Sequence, residues 1–292
     1  MRALFLCIVL FLLSVLPAPA SDVLILQSSH NSAYSEALKG FRSGFTGTTY
    51  TMVLGDYADV DVVRLIKEER PRLVLAVGES ALAACRKVRQ VPVLSLMSLN
   101  LSLSRPANPN IGGVGLVAPP ERFLALFKAI GKSRIGVLYD PNRSAGYLKR
   151  AHEAAHRLGI DLVLREVRNP RDTAGRLEQL KGKVDGLWMI PDTTAVTVEN
   201  MDAFFRFSLD QQLPLVTFAR QYLGKGAFAA IEADRVDLGS VMVEQVRKLL
   251  GRDGDPYVAD PRKLRLWTSD SVARKLGISA IGLERIVRDT GD

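Results

Sequence analysis

Little cysteine, little histidine, few aromatic residues and no run of like charge mark this sequence, and each shortage narrows what it can do. Two cysteines and three histidines in 292 residues supply no Cys/His set at metal-ligand spacing. His152 and His156 stand four apart on one helical stretch, but a third ligand is wanting, so no metal is expected. Cys7 falls in an N-terminal apolar run, which leaves Cys85 as the only thiol of the remaining chain. An internal disulfide is thereby excluded, and the fold must rest on its core. Cys85 lies in "ESALAACRKV", with no histidine near it in sequence, and is expected to be buried and structural. Aromatics make up 7% of the chain, and the Lys and Arg behind its formal charge of +8 are scattered. No basic stripe with interleaved stacking residues is present, so nucleic acid is not an expected partner.

The one long apolar run sits at the N terminus. "MRALFLCIVLFLLSVLPAPAS" has a single positive charge at Arg2, an apolar stretch from Ala3 to Leu16, and the small-residue triplet Ala18, Pro19, Ala20. That is the layout of a secretory signal cleaved after Ala20, and it predicts export to the periplasm. The apolar stretch is shorter than the ~20 residues that span a bilayer. About 270 residues remain, enough for one large domain or two ordinary ones.

Past the leader, short apolar runs alternate with amphipathic stretches. "DVLILQ", "YTMVL", "RLVLAV" and "VPVLSL" are predicted strands, with helices over "SAYSEALKGFRSGF", "DVVRLIKEERP" and the segment after Gly78. The pattern then restarts: helix at "PPERFLALFKAIG", strand and helix at "SRIGVLYDPNRSAGYLKRAHEAAHRLGI", strands at "DLVLREV", "VDGLWMI" and "LPLVTFAR". Such alternation argues for βαβ units and parallel sheets, twice over. The Pro-, Gly- and Asn-rich stretch "SRPANPNIGGVGLVAPP" between the arrays is the expected boundary. Gly113, Gly115 and Ala118 within it have the spacing of a dinucleotide loop but precede two prolines, so they are read as linker. "GKS" at Gly131–Ser133 is no phosphate loop, because Leu126 stands where that motif needs glycine.

The polar residues collect where strands end. In the first array these are Ser28, Ser29 and His30, then Gly78, Glu79 and Ser80, then Met97 and Ser98. In the second they are Asp140, Asn142, Arg143 and Ser144, then Asp192 and Thr193, then Phe218 and Arg220. All lie at carboxyl ends of presumed parallel strands, so each array gathers its set on one rim. Two rims facing each other would make a cleft for a small polar molecule. Asp192 is open to two readings. It is a helix cap, or an acceptor for a ligand ammonium, and its two oxygens could serve both. Ser80 and Ser144 are expected to meet a carboxylate, and His30 and Phe218 to form walls.

The chain resembles the periplasmic substrate-binding proteins of ABC transporters, in the group that includes tryptophan and other aromatic amino-acid binders. "NIGGVGL", "RIGVLYDPNRSAGYLKRAHEAAHRLGIDLVLREV", "VDGLWMIPDTTAV" and "SDSVARKLGISAI" carry the likeness, in order and over nearly the whole chain past the leader. It departs at Gly78–Ala81, where the group often has Gly-Thr-Pro-Ala, and at Met97–Asn100, where it often has Val-Thr-Asp-Pro. The resemblance implies an α/β fold of two Rossmann-like lobes, each a parallel sheet flanked by helices and joined by hinge strands. Lobe 1 is expected over 21–117 plus 229–254 and lobe 2 over 118–228 plus 255–292, with hinges near Val117 and Ala229. It further implies a monomeric, non-enzymatic solute binder that uses no cofactor and whose partners are permease subunits. The residues expected at the ligand are His30, Glu79, Ser80, Ser98, Asn142, Ser144, Asp192, Thr193, Phe218 and Glu232. Two rival readings are an exported sensor that signals to a partner protein, and a hydrolase using Asp192 with Glu232. Ser28–His30 is not a nucleophile–base pair, since neighbours on a strand end point apart.

Overall fold

Most of the short apolar runs become strands buried on both faces, while the edge strands at 49–53, 161–166 and 264–268 are partly exposed. The computed structural model describes residues 21–103 and 107–288, and the expected leader at 1–20 lies outside them. The first sheet holds β1 (Val23–Gln27), β2 (Thr49–Val53), β3 (Leu73–Val77), β4 (Val93–Leu96), β5 (Ile111–Val114) and β11 (Val258–Ala259), in the order β11-β5-β4-β3-β1-β2. The second holds β6 (Arg134–Tyr139), β7 (Asp161–Glu166), β8 (Gly186–Met189), β9 (Leu215–Thr217), β10 (Ala229–Ala233) and β12 (Leu264–Thr268), in the order β12-β10-β9-β8-β6-β7. All ladders are parallel except β10–β12 at the edge of the second sheet. β1 and β3 are wholly buried, as parallel strands covered by helices on both sides must be.

Helices α1 (Ser32–Gly44), α2 (Val62–Glu69), α3 (Glu79–Ala84) and α4 (Leu99–Leu103) follow strands of the first sheet. Helices α5 (Pro120–Ala129), α6 (Pro141–Leu158), α7 (Thr173–Glu178) and α8 (Met201–Asp210) accompany the second. α9 (Arg235–Leu250) returns to the first sheet and packs on α1. The two helices touch so closely that a Cβ on Gly239 would collide with the Ala37 carbonyl. Gln245 at the other end of α9 donates to the Gly113 carbonyl, 2.9 Å. α10 (Asp270–Leu276) and α11 (Leu283–Arg288) close the chain, with α11 against α5 and β12.

Three segments connect the sheets: 115–119, Asp234 and 260–263. The first is pinned from both sides. Ser102 Oγ on α4 accepts from the amides of Leu116 (2.7 Å) and Val117 (3.1 Å), and the Tyr147 hydroxyl on α6 donates to the Ala118 carbonyl (2.8 Å). Asp234 caps α9 and pairs with Arg265 of β12. Asp260 takes both Nη groups of Arg150, at 3.0 and 2.9 Å. One apolar cluster runs from the first sheet through Leu103, Val117 and Ala118 to Tyr147 and Trp188 in the second.

Strand membership departs from the sequence expectation in two places. β10, expected to begin the return to the first lobe, pairs with β9 and β12 in the second sheet, so the crossing falls at Asp234 rather than near Ala229. β11, expected in the second lobe, pairs with β5 in the first. β5 itself lies inside the stretch read as linker, because Ile-Gly-Gly-Val lacks the β-branched run that announces a strand.

Candidate functional site

In an open parallel sheet the ligand crevice forms where neighbouring connections leave in opposite directions. The two strand orders put that point between β1 and β3 in the first sheet and between β6 and β8 in the second.

At the first point Ser28 follows β1 and Gly78 follows β3. Ser28 Oγ donates to the Val77 carbonyl (3.0 Å) and accepts from the Ala81 amide (3.0 Å), stitching β1 to the start of α3. Gly78 has φ 91°, and a Cβ there would run into Ser28 Oγ and the Tyr34 hydroxyl. Only glycine allows this close approach and this backbone angle together. Burial lifts the Tyr34 phenol above its ordinary pKa; the Glu79 charge adds to the lift and Ser28 offsets part of it. Glu79 Oε1 accepts from Ser98 Oγ (2.9 Å) and the Asn100 amide (2.9 Å), and Oε2 from Asn100 Nδ2 (2.7 Å). These bonds hold the turn in which Met97, at φ 62°, swings the chain from β4 into α4. Ser80 is exposed on this rim. His30 is exposed further out, with Nε2 3.1 Å from Asp56 after β2.

At the second point two buried aspartates tie β6 to β8. Asp192 is 0% exposed and accepts four bonds. Oδ2 takes the Asp140 amide (2.8 Å) and Ser144 Oγ (2.6 Å), while Oδ1 takes the amides of Thr194 and Ala195, both at 2.9 Å. Asp140 caps α6 by accepting the Asn142 amide on Oδ1 (2.9 Å) and takes the Thr194 hydroxyl on Oδ2 (2.8 Å). Arg143 Nε donates to Thr194 Oγ1 at 3.3 Å. Asn142, Arg143 and Thr193 are exposed on the rim. Beside them Phe218 meets Tyr222 edge-on at 5.5 Å, Glu232 accepts the Arg220 amide (2.8 Å), and the Arg220 guanidinium lies 5.2 Å from the Trp267 ring centroid.

The expected site residues thus fall into three groups. Glu79, Ser80 and Ser98 share the first crevice, Asn142, Ser144, Asp192 and Thr193 the second, and Phe218 with Glu232 flank the latter. His30 stands apart. Three expectations change. A carboxylate has about four acceptor positions, and all four on Asp192 are filled from within the chain, so it caps and ties rather than receiving an ammonium. Ser144 is 0% exposed and committed to Asp192; Ser98 is 0% exposed and committed to Glu79. Tyr34, on α1, joins the first crevice without having been expected there, because a phenol within an amphipathic helix carries no sign of which neighbour it will meet.

α4, which follows β4 through the turn that Glu79 holds, and α6, which follows β6, pack on each other across the lobes. Beside their contact lies a cavity of about 480 Å³, lined by Leu101, Ser102 and Val117 on one side and Tyr147, Arg150 and Glu153 on the other. Among the described residues no cluster of three or more His, Cys, Asp and Glu could hold a metal ion. No helix among them is long and apolar enough to cross a membrane.

A family model described as ABC transporter substrate binding protein matches residues 39–280. The chain is similar to the ligand-free, open structure of CD0873, a substrate-binding protein with adhesive properties from Clostridium difficile. Identity is 18%, coverage 90% of this chain and 96% of that one, and the TM-score 0.67. It is also similar to the ABC domain in complex with L-Trp from Streptococcus pneumonia, at 19% identity, the same coverage of each chain and a TM-score of 0.61. No curated protein gives a significant match. With a match spanning most of its length and a two-sheet fold to go with it, the chain belongs to the ABC transporter substrate-binding protein family.

Proposed function

We propose that the protein is exported through a leader at 1–20, stays monomeric, and captures a small polar solute between its two lobes for delivery to an ABC permease. On this reading the first lobe comprises 21–114 and 235–259 and the second 120–233 and 264–288, hinged at the three crossings. The observation that carries the reading is the pair of switch-point crevices, one per sheet, with α4, whose leading turn Glu79 ties to the first crevice, in contact with α6, which leaves the second. Groups from both edges would contact the solute, and closure follows because the solute binds the closed state better than the open one. Glu79 has one acceptor position left after its three internal bonds, which suits a ligand ammonium. Ser80 on one rim and Asn142 and Thr193 on the other supply neutral hydrogen bonds, and Phe218 an apolar wall. His30, paired with Asp56, lies at the outer margin. Micromolar capture needs about 8 kcal/mol, within reach of a few charge-assisted bonds and one apolar contact. An amino acid or similar zwitterion matches this set of groups, and no chemical step is needed.

The test is a thermal-shift screen of residues 21–292 against amino acids, purines, sugars and organic acids. At a hundredfold excess over its dissociation constant a true ligand adds about 2.7 kcal/mol, or roughly 5–10 °C for a chain of this size. A melting temperature unmoved by every class would overturn solute capture.

A further inference from the structure

Arg143 lies across the second switch point with an orientation the chain itself sets. Its Nε donates to Thr194 Oγ1 (3.3 Å), and that hydroxyl donates onward to Asp140 Oδ2 (2.8 Å). Thr194 and Asp140 are buried, at 8% and 7% exposed, while Arg143 itself is exposed. Among the described residues no carboxylate comes within 4.0 Å of the Arg143 guanidinium, whereas Arg134, Arg150, Arg235 and Arg265 each have one. A guanidinium has five N–H donors. With Nε taken by Thr194, both Nη groups stay available as a fork, the geometry that grips a carboxylate by two parallel bonds. A buried acid one hydroxyl away aims the cation without neutralising it by direct contact.

We infer that Arg143 receives a carboxylate of the captured solute, with Thr194 and Asp140 as positioning residues, so that the protein selects carboxylic acids and zwitterions over neutral solutes. The inference rests on the cleft reading above and narrows its substrate class. It also moves the carboxylate contact from Ser144, which is turned inward, to the neighbouring residue on the same helix.

The experiment uses matched probes: the twenty L-amino acids, their α-amides, succinate, and neutral sugars and nucleosides, followed by thermal shift and titration calorimetry on residues 21–292. At least one acid is expected to stabilise the protein while its amide does not. Arg143→Gln is expected to weaken that acid roughly tenfold to a hundredfold, as loss of a charged hydrogen-bonding partner does, and to abolish discrimination against the amide. Its melting temperature without ligand stays that of the wild type. Thr194→Val is expected to weaken the acid severalfold with Arg143 still present, and Thr194→Ser to restore it. If Arg143→Gln binds the acid as the wild type does and still rejects the amide, the inference is wrong and the cleft reading survives. A response to sugars or nucleosides alone likewise overturns the carboxylate contact but not capture. Wild-type affinity in Thr194→Val removes the positioning role, and silence from every probe removes both readings.

Discussion

Replacing Asp192 with asparagine separates a structural carboxylate from a ligand-binding one. Asp192 has no exposed surface, and each of its oxygens accepts two bonds from the chain. Asparagine keeps the shape but turns one oxygen into a donor. An NH2 on the Oδ1 side would oppose two peptide N–H groups, so the favoured amide orientation puts it on the Oδ2 side, where the Ser144 hydroxyl can turn and accept from it and only the Asp140 amide loses its acceptor. One buried donor left unpaired predicts a destabilisation of about 1–3 kcal/mol. Urea unfolding followed by far-UV dichroism should show a lower midpoint at unchanged m, and the melting temperature should fall by roughly 2–10 °C. Ser144→Ala removes only one of the four bonds and should cost about 1 kcal/mol. The two changes should couple when combined, because the residues touch. A stability for Asp192→Asn within about 0.5 kcal/mol of the wild type, the range of surface substitutions, would refute the assignment. Such stability together with lost solute binding would return Asp192 to the ligand.

Three further outcomes follow from the same geometry. Gly78→Ala should lower stability by about 2–4 kcal/mol in thermal melts, since it meets both a left-handed φ and a collision with Ser28 and Tyr34; a neutral effect would mean the crevice floor is looser than described. Burial pushes the Cys85 thiol up to about 12, so the unfolded chain ionises there before the folded one. The thiol's contribution to stability should be complete below its ordinary pKa and fall by about 1.4 kcal/mol per pH unit between roughly pH 9 and 12. Cys85→Ala should decline less steeply by that amount, the raised Tyr34 and Tyr147 phenols supplying the slope that remains, and a native thiol that reacts freely with Ellman's reagent at pH 8 would contradict the burial. Glu79→Gln should cost about 1–2 kcal/mol by opposing an amide to Asn100. In spectrophotometric titration it should also move Tyr34 toward the ordinary phenol range while leaving it raised, because burial is the larger cause.

The strands of both switch points were legible from pattern alone. β1, β3, β6 and β8 are apolar runs ending in polar turns, and runs buried on both faces belong to parallel sheets. β5 was hidden by its two glycines. The sheet to which β10 and β11 belong was hidden for a different reason: a short strand's neighbours are chosen by tertiary pairing, and nothing local distinguishes a strand before a crossing from one after it. The rims of the candidate site were legible too, because strand ends alternate predictably with helix starts. The direction each side chain takes was not. Asp192 beside two threonines looks the same in sequence whether its carboxylate faces solvent or turns onto Ser144 and two amides. Arg143 reads in sequence as one polar residue of the rim among others, and nothing local shows that Thr194 and Asp140 stand behind it. Side-chain partners separated by about fifty residues, such as Ser144 with Asp192, come from strand order, which no local pattern encodes.

If groups on both edges hold one solute, blocking either edge alone should be enough to prevent its binding. Ser80 and Thr193 are exposed, one on each rim, so Ser80→Trp and Thr193→Trp should fold with nearly wild-type melting temperatures. Each alone is expected to abolish the stabilisation given by whichever compound from the screen raises the melting temperature most. A full response surviving in either variant would show that the compound is held by one lobe, or elsewhere, and would contradict capture between the two.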